Sequence, residues 1–226
     1  MRIVSLVPSA SETLRAWGVD PIAVTRFCEQ PDLETVGGTK NPDVDKIREL
    51  RPDLVVVDRE ENRREDHDAL IQAGLNVHVL AIRSIADLNS QMPELAERVG
   101  AAERWEPIPQ EVDTRALDLR AFVPIWRRPW MALGTPTYGA DLLGLLGVAV
   151  VPSGQGPYPE TDLDAIRDER PDLVLAPTEP YAFSERHLPE LDTVAPATII
   201  DGKDLFWWGT RTQQAIGRLG AVIGRA

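Results

Sequence analysis

The phrase RPDLVVVDRE at residues 51–60 returns as RPDLVLAPTE at residues 170–179, 119 positions later, with six of its ten letters unchanged. Extended back to Asp43 and Asp162, the two copies align over eighteen positions, of which ten are identical. The shared positions include Asp45 and Asp164, Ile47 and Ile166, Arg48 and Arg167, Pro52 and Pro171, and Glu60 and Glu179. Each copy reads as a short helix, a tight turn at Arg-Pro-Asp and an apolar run of the kind that forms a strand buried on both faces. A chain that writes this unit twice is constrained to two α/β halves, and 226 residues leave room for two small domains.

The remaining sequence alternates in the same way. RIVSLV predicts a first strand ending at Pro8, with Ser9 and Ser11 as helix-capping candidates and SETLRAWG as the helix that Gly18 closes. Strands are expected at PIAVT, DLVVV and NVHVLAI, with helices at DVDKIREL and REDHDALIQAG between them. From Ser84 the pattern becomes helical or polar until about Arg120, interrupted by Pro107 and Pro109, each of which removes an amide donor. Alternation then resumes with AFVPIW, GADLLGLLG, VAVV, DLDAIRDE, DLVLA, SERHLPEL, ATII and a terminal helix from about Thr210. The expected fold is α/β: two Rossmann-like lobes with mainly parallel sheets, residues 1–83 and 121–226, joined by a helical backbone segment, residues 84–120. Ligands of open parallel sheets gather at the carboxyl ends of the strands. The loops at 58–62 and 177–183 are therefore expected to face a cleft between the lobes.

Charge and composition exclude several functions. The formal net charge of -12 opposes a phosphate-binding surface, so no nucleic-acid partner is expected. One cysteine, Cys28, excludes an internal disulfide and a cysteine-built zinc site. The apolar run before Pro8 is too short for a signal-peptide core, so a chain beginning at Met1 is expected to be cytoplasmic, and extracytoplasmic if a leader has been removed. GxGxxG, Walker, HExxH and GxSxG motifs are absent, and His67, His78 and His187 stand singly, so no catalytic residue and no metal ligand is assigned. The aromatics are more telling. Trp126, Trp130, Tyr138, Tyr158, Tyr181, Phe183, Phe206, Trp207 and Trp208 all fall in the second half. Core packing accounts for some of them, and rings at strand ends suit a large planar or apolar ligand.

The stretches GGTKNPDVDKIRELRPDLVVVDREEN, EPYAFSERH and DGKDLFWWGTRT resemble the class III solute-binding proteins of metal-chelate import, the cobalamin and siderophore receptors built on a helical backbone. The resemblance covers essentially the whole chain. It implies a ligand held between two lobes, one connecting helix, and an acidic residue on each lobe that docks on arginines of an ABC-type importer. Position in the chain then suggests Pro8, Ser9, Phe27, Cys28, Lys40, Glu61 and Asn62 as ligand-binding residues of the first lobe. Trp130, Tyr138, Tyr181, Phe183, Trp208 and Arg211 are their counterparts in the second, with Glu60 and Glu179 as the docking pair. Arg26 is a further single charge. No intrinsic cofactor is expected, the chain is expected to be monomeric, and the rich aromatic and thin basic supply favours a corrinoid over a ferric siderophore. The alternatives are a cytosolic chelate carrier or sensor without a transporter, and a chelatase-like enzyme using His187 near Glu185 and Glu179.

Overall fold

The computed structural model describes residues 1–111 and 118–224. The chain divides into two compact units. One comprises Met1–Ile82, Asp87–Pro107 and Trp208–Thr210, and the other Arg83–Ala86, Ile108–Trp207 and Arg211–Ala226.

In the first unit, β1 (Ile3–Ser5), β2 (Ala23–Val24), β3 (Glu34–Thr35), β6 (Leu54–Asp58) and β7 (Val77–Leu80) form a sheet in the order β3-β2-β1-β6-β7, parallel throughout. A small hairpin, β4 (Gly37–Gly38) and β5 (Asn41–Pro42), projects beyond β3. Helices α1 (Pro8–Ala16), α2 (Val44–Glu49) and α3 (Arg64–Gln72) make the crossovers, as parallel pairing requires. Helix α4 (Ile85–Arg98) buries Ile85, Leu88, Met92, Leu95 and Ala96 along one stripe at helical spacing. The Gln91 amide fastens it to Ala81, accepting from its N at 2.9 Å and donating to its O at 3.0 Å.

The second unit holds β8 (Leu119–Phe122), β11 (Val148–Val151), β13 (Leu173–Pro177) and β14 (Ala197–Ile200) in the parallel order β11-β8-β13-β14. Beside it, β9 (Pro124–Arg127), β10 (Trp130–Ala132) and β12 (Glu160–Thr161) form an antiparallel sheet. Helices α5 (Tyr138–Leu145), α6 (Leu163–Asp168), α7 (Leu188–Leu191), α8 (Gly202–Phe206) and α9 (Thr212–Ile223) complete it. Among the described residues, no helix is long and apolar enough to cross a membrane.

Three expectations need correction. The helical stretch read to about Arg120 is an α-helix only to Arg98, followed by one 3-10 turn at Ala102–Arg104; residues 112–117 lie outside the described part. AFVPIW is two strands rather than one, because the chain leaves β8 after Phe122 and joins the antiparallel sheet as β9. Neither Ser9 nor Ser11 caps α1: Val7 is the N-cap without a side-chain bond, and Pro8 stands at the first helical position, where its missing N–H is harmless.

The repeated phrase is repeated in its contacts. Asp43 caps α2 by accepting from the Lys46 amide at 3.0 Å, and Asp162 caps α6 from Ala165 at 2.8 Å. Ile47 and Ile166 are fully buried under their sheets, each contributing about 1.5–3 kcal/mol. Arg51 and Arg170 both turn left-handed, with φ of 46° and 51°. The next Asp then clips strand to strand. The Asp53 amide donates to Arg2 O at 2.7 Å while its carboxylate accepts from Arg2 N at 2.6 Å. Asp172 does the same with Arg120, at 2.7 Å in both directions. The strands that follow, β6 and β13, are buried along their whole length as interior strands of separate sheets. Asp53→Ala and Asp172→Ala are each expected to lower unfolding stability by about 1–2 kcal/mol. The double variant should lose close to the sum, because the clips share no partner; urea denaturation followed by circular dichroism measures all three.

Candidate ligand-binding site

The carboxyl ends of the first unit's strands carry a polar floor. Cys28 follows β2 and is fully buried. The Ser11 hydroxyl, one turn into α1, lies 2.8 Å from Ser5 Oγ and 3.2 Å from Cys28 Sγ, and Thr25 Oγ1 is 3.2 Å from the same sulfur. Burial pushes the Cys28 thiol up, opposed by these hydroxyls, so it stays a neutral thiol. After β6, Asp58 and Asn62 build the loop between them. The Asp58 carboxylate accepts from the Glu60 amide at 2.8 Å and the Ile82 amide at 3.3 Å. The Asn62 side chain accepts from Asp58 N at 2.9 Å and donates to Thr39 O at 2.7 Å and to Leu6 O at 3.3 Å. Asn62 thereby ties three loops together.

Above this floor stand the exposed groups. Phe27 is 49% exposed, with the Arg26 guanidinium 4.8 Å from its ring centre. A Cβ on Gly38 would come within 3.2 Å of that ring, so glycine lets the hairpin lie against Phe27. Lys40, at the hairpin tip, is exposed, as is Glu60, while Glu61 is half-buried. Burial raises the Glu61 carboxyl, and the Lys40 charge partly offsets it.

The second unit answers with rings. Chain leaving β8 and β13 brings Trp126, Trp130, Tyr181 and Phe183 together. Tyr181 meets Trp126 edge-on at 5.5 Å and tilts against Phe183 at 4.7 Å, and Phe183 stacks on Trp130 at 6.1 Å. His187 packs under Tyr181 and Phe183, with centroids 5.7 and 5.5 Å away, and its Nδ1 accepts from Ser184 N at 3.0 Å. Burial, with Arg186 and Arg127 nearby, pushes the His187 imidazole down, so it is neutral. Trp126 remains 45% exposed, and Tyr158 43%. Glu179 is half-buried and lies so close to Gly202 that a Cβ there would strike its backbone; Thr178 closes the contact by accepting from Gly202 N at 3.0 Å.

The suggested site residues thus separate into two groups. Phe27, Lys40, Glu61, Trp130 and Tyr181 present surface. Pro8, Ser9, Cys28, Asn62, Tyr138, Phe183 and Trp208 are buried. Tyr138 gives its hydroxyl to Thr212 at 2.8 Å, and Phe183 belongs to the apolar core. Arg211 pairs with the buried Asp204, which takes Arg218 as well at 2.6 and 2.7 Å. His187 is a buried capping group, and among the described residues no cluster of His, Cys, Asp or Glu could hold a metal. Trp126 was legible as an aromatic near a strand end; its exposure was not. Asp58 was overlooked because nothing in DREEN distinguishes a buried acid from its neighbours.

Burial drives the Asp58 carboxyl up to about 7. Because the folded value lies above the unfolded one, this group's stability contribution is complete at low pH and is lost as pH rises toward 7. Wild-type protein is therefore expected to be less stable at pH 8 than at pH 5, with Asp58 supplying on the order of 1–3 kcal/mol of the difference. Asp58→Asn should shrink that difference in urea titrations at the two pH values. An unchanged slope would remove Asp58 as its source.

The profile of the periplasmic binding protein family matches residues 3–195. The vitamin B12-binding protein of Vibrio cholerae serotype O1 is 22% identical over 204 residues, covering 83% of this chain and 73% of its own. Among solved structures, the periplasmic vitamin B12 binding protein BtuF of Vibrio cholerae superposes with a TM-score of 0.80 at 19% identity, over 99% of this chain and 96% of that one. The periplasmic heme-binding protein BhuT, in complex with two hemes, gives 0.82 at 17% identity, over 99% and 98%. A two-unit parallel α/β fold shared along nearly the full length and a family match over most of the sequence lead to one conclusion: this chain belongs to the periplasmic binding protein family.

Proposed function

We propose that this chain binds a tetrapyrrole-like metal chelate, a corrinoid in the first place, as the receptor of an ABC-type importer acting outside the cytoplasm. The observation that carries the reading is the ring cluster of the second unit. Trp126 shows nearly half its surface to solvent while Tyr181 packs edge-on against it, backed in turn by Phe183 and Trp130. An exposed ring backed by a packed cluster is already ordered, so stacking a macrocycle on it loses little conformational entropy. Around the exposed Phe27 the nearby charges are balanced, Arg26 and Lys40 against Glu60 and Glu61, which suits a large ligand of low net charge better than a carboxylate-rich siderophore. Relatives named for vitamin B12 support the corrinoid, and heme-binding structural neighbours support the wider tetrapyrrole class. Glu60, exposed at the turn after β6, and Glu179, its repeat partner after β13, are the proposed contacts with the importer.

Corrinoids and hemes absorb where tryptophan emits, so binding near Trp126 should quench intrinsic fluorescence saturably. Cobalamin, cobinamide, heme and a ferric hydroxamate are titrated in parallel at equal ionic strength. The corrinoids are expected to quench most tightly, and Trp126→Ala should weaken them by about 1–3 kcal/mol. Quenching by heme alone would shift the assignment within the class. Absence of saturable quenching by all four, in protein shown to be folded, would defeat the chelate reading.

A further inference from the structure

A groove of about 530 Å³ opens in the first unit between the start of α3 and the carboxyl ends of β6 and β7. Its volume falls in the range of small-molecule sites. Val57 and Val79, direct partners across the parallel ladder, give it an apolar lining, and Val79 keeps 36% of its surface exposed. Arg59, Arg63 and Arg64 line it from the loop and the first turn, with His67 one turn further along the same helix face. For a chain of net charge -12, three guanidinium groups beside two carboxylates, Asp58 and Asp68, around one concavity is a local gathering of arginine.

Two acids, Asp58 and Asp68, also line the groove, and the acids of this region already have partners. Asp58 turns both oxygens to the backbone amides of Glu60 and Ile82. Asp66 pairs with Arg63 at 3.1 Å, and Asp68 lies 3.0 Å from His67 and 3.9 Å from Arg64. The Arg59 guanidinium has no ion pair among the described residues, while its amide is anchored to Leu80 O at 3.0 Å. An arginine with a fixed backbone and an uncommitted planar fork matches a phosphate or carboxylate in two-point geometry.

We propose that this groove is a second binding site, for a small organic phosphate whose dianion meets Arg59 and the start of α3 and whose apolar body lies on Val57 and Val79. The site lies within the first unit and does not depend on the chelate reading. Phenyl phosphate is the probe, titrated calorimetrically into the full chain at low ionic strength. One saturable site is expected, with inorganic phosphate several-fold weaker because it lacks the apolar body. Arg59→Gln should weaken phenyl phosphate about tenfold, whereas Arg48→Gln, an exposed arginine on α2, should leave it unchanged. Circular dichroism establishes that each variant is folded. No saturation by phenyl phosphate, wild-type affinity in Arg59→Gln, or an equal loss in Arg48→Gln would each overturn the site; inorganic phosphate binding as tightly as phenyl phosphate would overturn the role of the valines.

Discussion

Both units of this protein rest on one small junction, in which an aspartate backbone and carboxylate grip the chain at the amino edge of the neighbouring strand. Asp53 holds Arg2 beside β1, and Asp172 holds Arg120 in β8. A parallel pair has no hairpin to set its register, so a two-bond clip at the strand entrance is a direct way to fix which residues face which. With that register set, β6 and β13 become buried interior strands of their sheets and their carboxyl ends are delivered to the surface. The left-handed turn at Arg51 and Arg170 is unfavourable for a residue with a side chain, and the clip that follows offsets it.

The two copies part company where function begins. From Asp43 and Asp162 to the start of the strand they share nine of thirteen residues, and then Asp58 stands where the second copy has Pro177. The buried acid organises a loop by accepting amide bonds, and it brings a titratable group into the first unit's floor. Pro177 donates nothing, and the second loop is held instead by Thr178 and by the close approach of Gly202 to Glu179. One scaffold thus carries a polar, hydroxyl-lined floor in the first unit and an aromatic cluster in the second.

Much of the fold could be read in advance because parallel α/β architecture writes itself locally: buried strands are continuous apolar runs and crossover helices have a period near four. What escaped were the elements without such a pattern. The antiparallel sheet of β9, β10 and β12 is made of two- to four-residue strands rich in Pro, Trp and Arg, whose pairing comes from distant partners. The site was legible only in part for a related reason. An aromatic residue near a strand end can serve core or surface, and Phe183 and Trp126 differ by the neighbours the fold gives them, not by any local signal.

The sequence by itself determined the duplication, the parallel α/β class, the acidic character and the kinship with binding proteins, because periodicity, charge and motif spacing are properties of the chain. Only the tertiary structure decided which candidates are exposed and which are already partnered. Asn62 and Arg211 have the chemistry of binding groups, yet one is consumed in tying loops and the other pairs with Asp204. The physical reason is that burial and partnership depend on residues far away in sequence. A side chain's functional groups are available to a ligand only when the fold has not already satisfied them.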